Sequence, residues 1–241
     1  MKVWGARVHS PTVDRAVAAW LLNAGLMGKA ERRFFESVVA DGQAVIDVGA
    51  NQGIFTLLFS RLVGPGGRVL ALEPAPALFA ALDENCRINR AENVTRLRAA
   101  AGESRRPGLL RCSRFNRGDN ALTESPRGLS VPVEIVPLDE MLPTGPVSLV
   151  KIDVQGHELA VVKGMQAIIE RSPAIIVYFE YWTAGLGRAG SSPGELLDFF
   201  IERGFSLFEL SGSGRRKIDG RQVARDKAGN WFWSNLLAAR E

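Results

Sequence analysis

The chain is short of the residues that most often carry chemistry. It has two cysteines, Cys86 and Cys112, far apart in sequence and in no CxxC pair. That excludes a disulfide framework and a thiolate metal site, and it suits a reducing interior. Two histidines, His9 and His157, are the whole supply of imidazole. No apolar run approaches the ~20 residues needed to span a bilayer. The opening "MKVWGARVHSPTVDRAVAAW" lacks the charged start, apolar core and small-residue cleavage site of a secretory signal, so the expected location is the cytoplasm. Internal repeats and low-complexity tracts are also missing, which excludes solenoids and disordered arrays. A net charge of +4 and a pI near 9.4 permit an acidic partner without demanding one.

What is present reads as one globular α/β domain over residues 1–241. The 46% hydrophobic and 23% charged residues are ordinary for such a domain. Apolar runs of strand length alternate with stretches of helical spacing, the pattern of a parallel sheet covered on both faces. The strands expected are "AVIDVG", "RVLALE", "NVTRLRAA", "VSLVKID", "AIIVYFEY", "FSLFEL" and "NWFWSNLLAA". Two helices are expected within residues 1–42, one opening at Ser10 and Pro11 and the other in "KAERRFFESVVADG". A single helix is expected in "GHELAVVKGMQAIIERS", and another starting near Pro193. Residues 102–140 break the pattern. "GLLRCSRF" and "LSVPVEIVPL" read as strands around the turn-rich "NRGDNALTESPRG", too long for a plain connection and so a β-rich insertion expected to bind the acceptor.

The segment "VIDVGANQGIF" runs from a buried strand into a loop with two glycines. In an open α/β sheet, ligands bind beyond the C-terminal ends of the strands. Glu73 ends the next strand twenty residues after Gly53, where a carboxylate can accept both hydroxyls of a ribose. The dinucleotide fingerprint requires a second glycine where this chain has Asn51, so a diphosphate is disfavoured. S-adenosylmethionine (SAM) carries an adenosine and no phosphate. The competing possibility is a tight strand-to-helix turn that binds nothing.

At this point the pattern has a family likeness. The segments "VIDVGANQGIFTLLFSRLVGPGGRVLALEPAPALFAAL", "ENV", "LDE" and "VKIDVQGHELAVVKG", in that order, resemble the FkbM family of SAM-dependent O-methyltransferases. The resemblance implies a class I methyltransferase fold, a Rossmann-like sheet of seven strands with the last antiparallel. It also implies methyl transfer to a hydroxyl of a small molecule, whether secondary metabolite, sugar or glycan. Asp47, Gly49, Asn51 and Gly53 would then surround the methionine part of SAM. Glu73 would hold the ribose, and Ala100 and Ala101 would lie near the adenine. The family usually has Glu where this chain has Gln155.

An alcohol is a weak nucleophile, so a base that takes its proton should help by ~10²–10⁴-fold. His9 has no site signature around it. His157 opens the helix after "VKID", where a helix N-terminus keeps the imidazole neutral. Asp153, four residues earlier, could orient it; the bland alternative is that His157 caps the helix. Glu158 is expected to face away and make a salt bridge. Glu180 ends "AIIVYFE" at the ligand edge and could bind acceptor hydroxyls; if His157 is only a cap, Asp153 or Glu180 takes the proton instead. Asp153 and Glu180 alone are too weak a signal to assign a metal. The arginines at 105, 106, 111, 114 and 117, and "RRKIDGRQVARDK", read as solvated faces.

Other classes fit less well. A dehydrogenase lacks its glycine. A nucleic-acid methyltransferase of the amino type would show Asn-Pro-Pro-aromatic where this chain reads "DVQG", and neither cysteine sits at a strand end for carbon-5 chemistry. A non-catalytic SAM-binding module is opposed by Asp153 and His157. The N-terminal helices could pair two subunits or cover the site.

Overall fold

The computed structural model describes residues 2–10, 28–113, 120–125, 128–142, 144–211, 214–227 and 232–240. The helix expected from Pro11 onward lies outside the described residues, as do Arg114, Arg117 and Trp231.

The chain starts with a hairpin the sequence did not announce: β1 (Lys2–Val3) pairs antiparallel with β2 (Ala6–Arg7). Trp4 and Gly5 both have positive φ, 48° and 87°, as a two-residue hairpin turn demands. Asn89 anchors it, accepting from Arg7 N at 2.8 Å and donating to Arg7 O at 2.6 Å. The helix Lys29–Val38 comes next, burying Phe34 and Phe35.

The central sheet takes its strands from along the chain: β3 (Ala44–Val48), β4 (Arg68–Leu72), β5 (Val94–Leu97), β10 (Leu149–Ile152), β11 (Ile176–Trp182), β12 (Ser206–Ser211), β13 (Gly214–Ile218) and β14 (Trp233–Ala239). They lie in the order β13-β12-β14-β11-β10-β3-β4-β5. β3, β4, β5, β10 and β11 are parallel, and β14 runs antiparallel between β11 and β12. This is the expected seven-stranded arrangement with an eighth strand, β13, added at the edge. β13 escaped sequence reading because Arg215, Arg216 and Lys217 are exposed on both sides of the ribbon, so no alternation marks it. β3 and β10 are wholly buried, which explains their unbroken apolar runs. Strand order reverses beside β3, and the C-terminal ends of β4, β3, β10 and β11 share one edge there.

The expected strand over 93–100 is two strands. β5 stays in the main sheet, while β6 (Ala100–Ala101) pairs with β9 (Ser130–Val136). With β7 (Arg106–Arg111) and β8 (Ala121–Thr123), they form a separate four-stranded sheet in the order β6-β9-β7-β8. The insertion is therefore β-rich, as its sequence suggested. Leu110, Leu122, Val131 and Val133 pack on Ala75 and Leu78, so this sheet stands against the end of β4.

The single helix expected after β10 is broken into Glu158–Lys163 and Gln166–Arg171. Gly164 sits against the root of the insertion, where an added Cβ would lie 2.0 Å from Gly102 O. Asp139 then receives the N–H groups of Ala167 and Ile168 at 3.0 and 2.8 Å, capping the second piece. Helix Pro193–Ile201 starts where expected, with Ser192 and Glu195 forming a capping box.

Candidate active site

β3 delivers Gly49 into a crowded corner. Its φ is 75°, and a Cβ there would stand 1.9 Å from Asp153 O, so only glycine lets the two loops meet. Gly53, at φ 86°, makes the same concession to Leu82 Cδ1 at 2.6 Å. It packs against Leu82 of the helix Pro76–Asn89 and does not line the cavity. Asp47 is likewise out of the cavity. It is fully buried, accepts from Thr56 Oγ1 at 2.6 Å and pairs with Lys151 Nζ at 3.1 Å. Asp47 and Gly53, expected around the methionine part of SAM, do not line the cavity: Asp47 braces the loop through Lys151, and Gly53 leads into the helix Ile54–Leu62. Lys151 is not among the expected site residues, although it lies inside "VKIDVQGHE". Its ammonium also reaches Gly49 O at 3.3 Å. Burial opposes its charge, but Asp47 and Asp153 outweigh this and raise its pKa above the ordinary lysine value.

Glu73 lies just beyond β4 and faces the cavity together with Gly49 and Asn51. Its carboxyl is buried and accepts from Asn51 N at 2.9 Å and Ala75 N at 2.8 Å. Burial pushes its pKa up to about 7, against the pull of these two bonds. Two bonds leave further lone-pair sites on a group that offers about four. Beside it, Ala99, Ala100, Ala101, Leu78 and Leu110 line an apolar stretch of the cavity, and Asn120, Ala121 and Leu122 add the insertion's contribution.

Asp153 and His157, both in the loop after β10, and Glu180, on β11, line the same cavity. That loop is shaped by Gln155 at φ 57° and Gly156 at φ 106°. A Cβ on Gly156 would meet Gly185 O at 2.2 Å. Glu158 fastens the loop: buried, it accepts from Gly156 N at 3.1 Å and Val154 N at 3.3 Å. The salt bridge expected of it is replaced by these backbone bonds, and burial raises its pKa to about 7.

Glu180 is also buried. It accepts from Trp233 Nε1 at 2.5 Å and from Gln155 Nε2 at 3.0 Å. Burial, then the nearby Asp153, pushes its pKa up to about 8. Gln155 Nε2 also lies 3.3 Å from Asp153 Oδ1. His157 heads its helix without a side-chain capping bond. Its Nδ1 is buried without a partner, so the expected orienting bond from Asp153 is not made. Burial and the positive Arg106 lower its pKa, keeping the ring neutral. His9 is elsewhere, held by Asn85 through its backbone. Arg105, read as a solvated residue, pairs with Glu134 and Glu140.

Of the expected site residues, the cavity thus gathers Gly49, Asn51, Glu73, Ala100, Ala101, Asp153, His157 and Glu180. The Methyltransferase FkbM domain profile matches residues 47–207, the stretch that contains all of them. The chain belongs to the FkbM methyltransferase family. Its cofactor is S-adenosylmethionine. The 31-O-demethyl-FK506 methyltransferase FkbM of Streptomyces tacrolimicus is 31% identical over 52% of this chain and 60% of its own length. Methyltransferase sdnD of Sordaria araneosa is 30% identical over 50% and 60% respectively. The chain spans about 60% of the length of these curated relatives. Among solved structures, an O-methyltransferase from Bacillus cereus in complex with SAH superposes with a TM-score of 0.52 at 12% identity, covering 95% of this chain and 84% of that one. TomG from Streptomyces achromogenes, in complex with SAM, gives 0.51 at 12% identity, covering 97% and 92%. At such identity these two show a shared fold. No helix among the described residues is long and apolar enough to cross a membrane.

The residues present suit this cofactor. Glu73 keeps acceptor capacity for a ribose diol, the alanine and leucine stretch offers an apolar slot for a base, and Asn51 stands where a diphosphate would need glycine.

Proposed function

We propose that this chain transfers a methyl group to a hydroxyl of a small molecule, a secondary metabolite or a sugar. The observation that carries this reading is the continuity of one cavity from Glu73 to Glu180. β4 and β11 are separated by β3 and β10, three strand spacings or about 14 Å along the sheet edge. A nucleoside fits at one end and an acceptor at the other.

When bound, SAM supplies an activated methyl on sulfonium. The chain's own task is to hold and align, and alignment alone supplies up to ~7–11 kcal/mol. Glu73 binds the ribose hydroxyls. Ala99 to Ala101, Leu78 and Leu110 exclude water from the base. Asp153 and Glu180 receive the acceptor. His157, neutral and lining the cavity, takes the hydroxyl proton, with Asp153 as the rival base. The test is transfer of labelled methyl from SAM to a panel of alcohols. Transfer to nitrogen or carbon acceptors only would overturn the O-methyl reading while leaving the family assignment intact.

A further inference from the structure

A second hollow lies on the other side of Pro74, which lines both it and the main cavity. It is a groove of about 830 Å³, within the ~300–1,000 Å³ of small-molecule sites. Its walls are apolar: Pro74 and Pro76 after β4, Pro107 on β7, and Val131, Pro132 and Val133 on β9. Proline fixes its own φ, so four of these six wall residues stand on stiff backbone.

The charges around the groove do not cancel. Arg98, Arg105 and Arg106 line it with a single acid, Glu134. Arg105 pairs with that Glu134 and with Glu140, the latter at 2.8 Å. Arg98, just after β5, and Arg106, the first residue of β7, are both exposed. Neither side chain makes a hydrogen bond or ion pair with a described residue. A lone surface arginine is usually only solvated. These two border the same apolar hollow, so an oxyanion held by their guanidinium forks brings its carbon body onto proline and valine.

An extended peptide fits the groove less well. β9 pairs with β7 over Ser130–Ile135 but with β6 only at Ile135 and Val136, which leaves residues 131–134 with no strand on their other side. An added strand needs a row of backbone donors and acceptors there. Pro132 has no N–H to offer and blunts that edge. Recognition falls to the side chains.

We propose that this groove binds a small amphiphilic anion, a carboxylate or phosphate on an apolar body, with its oxyanion on Arg98 and Arg106 and its body against the proline and valine walls. The site is separate from the main cavity and does not depend on the methyl-transfer reading.

The test is calorimetric titration of the full chain saturated with S-adenosylhomocysteine, at low ionic strength because salt screens exposed charges. The probes are octanoate, octyl phosphate, octanol and inorganic phosphate. At least one octyl anion should bind, and which of the two binds more tightly assigns the oxyanion. Inorganic phosphate should bind at least about tenfold more weakly, the difference that two buried methylenes make. Octanol should also bind more weakly than the octyl anion. Arg98→Gln and Arg106→Gln should each weaken that anion by up to about fivefold, the range of exposed ion pairs, and the double variant more than either. Both side chains are exposed and unpaired, so the fold tolerates the exchanges. Absence of binding by both octyl anions overturns the proposal. So does octanol or inorganic phosphate binding as tightly as the octyl anion, or a double variant that matches the wild type. Binding seen only without S-adenosylhomocysteine places the anion in the main cavity and overturns it as well. Titration of S-adenosylhomocysteine itself reports separately on the cofactor reading.

Discussion

Lys151 Nζ lies 3.1 Å from Asp47 Oδ1, and both side chains are almost wholly out of water. Their pairing joins β10 to β3 directly beneath the glycine loop, and Lys151 also reaches Gly49 O. Lys151→Met should therefore destabilise the fold by ~3–5 kcal/mol, because it leaves Asp47 charged and unpaired in the interior. Adding Asp47→Asn should restore part of the loss. Urea denaturation of the single and double variants measures both, and an undisturbed Lys151→Met protein contradicts the pairing.

Three buried carboxyl groups set the pH dependence of stability. Glu73 and Glu158 have pKa values raised to about 7 and Glu180 to about 8. Raised carboxyl values mean that the folded state binds more protons than the unfolded one in this range. Their contribution is complete below the unfolded carboxylate value near 4.5 and is lost as pH rises through 7 to 8. His157, whose pKa is lowered, acts in the opposite sense but below about 6.5. Between pH 6.5 and 8, stability should fall as pH rises, by on the order of 1 kcal/mol per pH unit for each carboxyl still protonated. Glu158→Gln should flatten that slope. A urea midpoint that climbs from pH 6.5 to 8 contradicts it.

His157→Ala should lower kcat by ~10²–10⁴-fold with little change in SAM affinity. Because burial and Arg106 lower its pKa, the acid limb of the rate profile should fall below 6.5 rather than at it. A variant within about tenfold of normal kcat hands the proton to Asp153, and Asp153→Asn then becomes the damaging change.

Much of the fold and part of the site are legible in the sequence, for identifiable reasons. Buried parallel strands announce themselves as unbroken apolar runs, and Glu73 has a fixed register after the glycine loop. The features that escape depend on contacts between distant segments. Nothing near Gly164 in sequence tells that Gly102 presses on it and that Asp139 caps the helix beyond it. A motif position does not say which side of a loop faces the cavity, so Asp47 and Gly53, expected around the ligand, are not among the residues that line it. Glu158 resembles a surface charge because its partners, Val154 N and Gly156 N, are backbone. Lys151 is the signal that could have been found: a lysine inside "VSLVKID" needs a buried partner, and Asp47 is its neighbour in register across β3 and β10.

Glu73 lines one end of a continuous cavity, and the proposal that this end takes the cofactor is central to the proposed function. Calorimetric titration of SAM into the chain and into Glu73→Ala tests it most directly. The wild-type chain should bind one SAM. Glu73→Ala should bind more weakly by roughly 1.5–3 kcal/mol, the scale of hydrogen bonds to a charged group. The affinity of the wild-type chain should also decline as pH drops below about 7, where Glu73 becomes protonated. A folded Glu73→Ala protein that binds SAM as tightly as the wild type contradicts the claim.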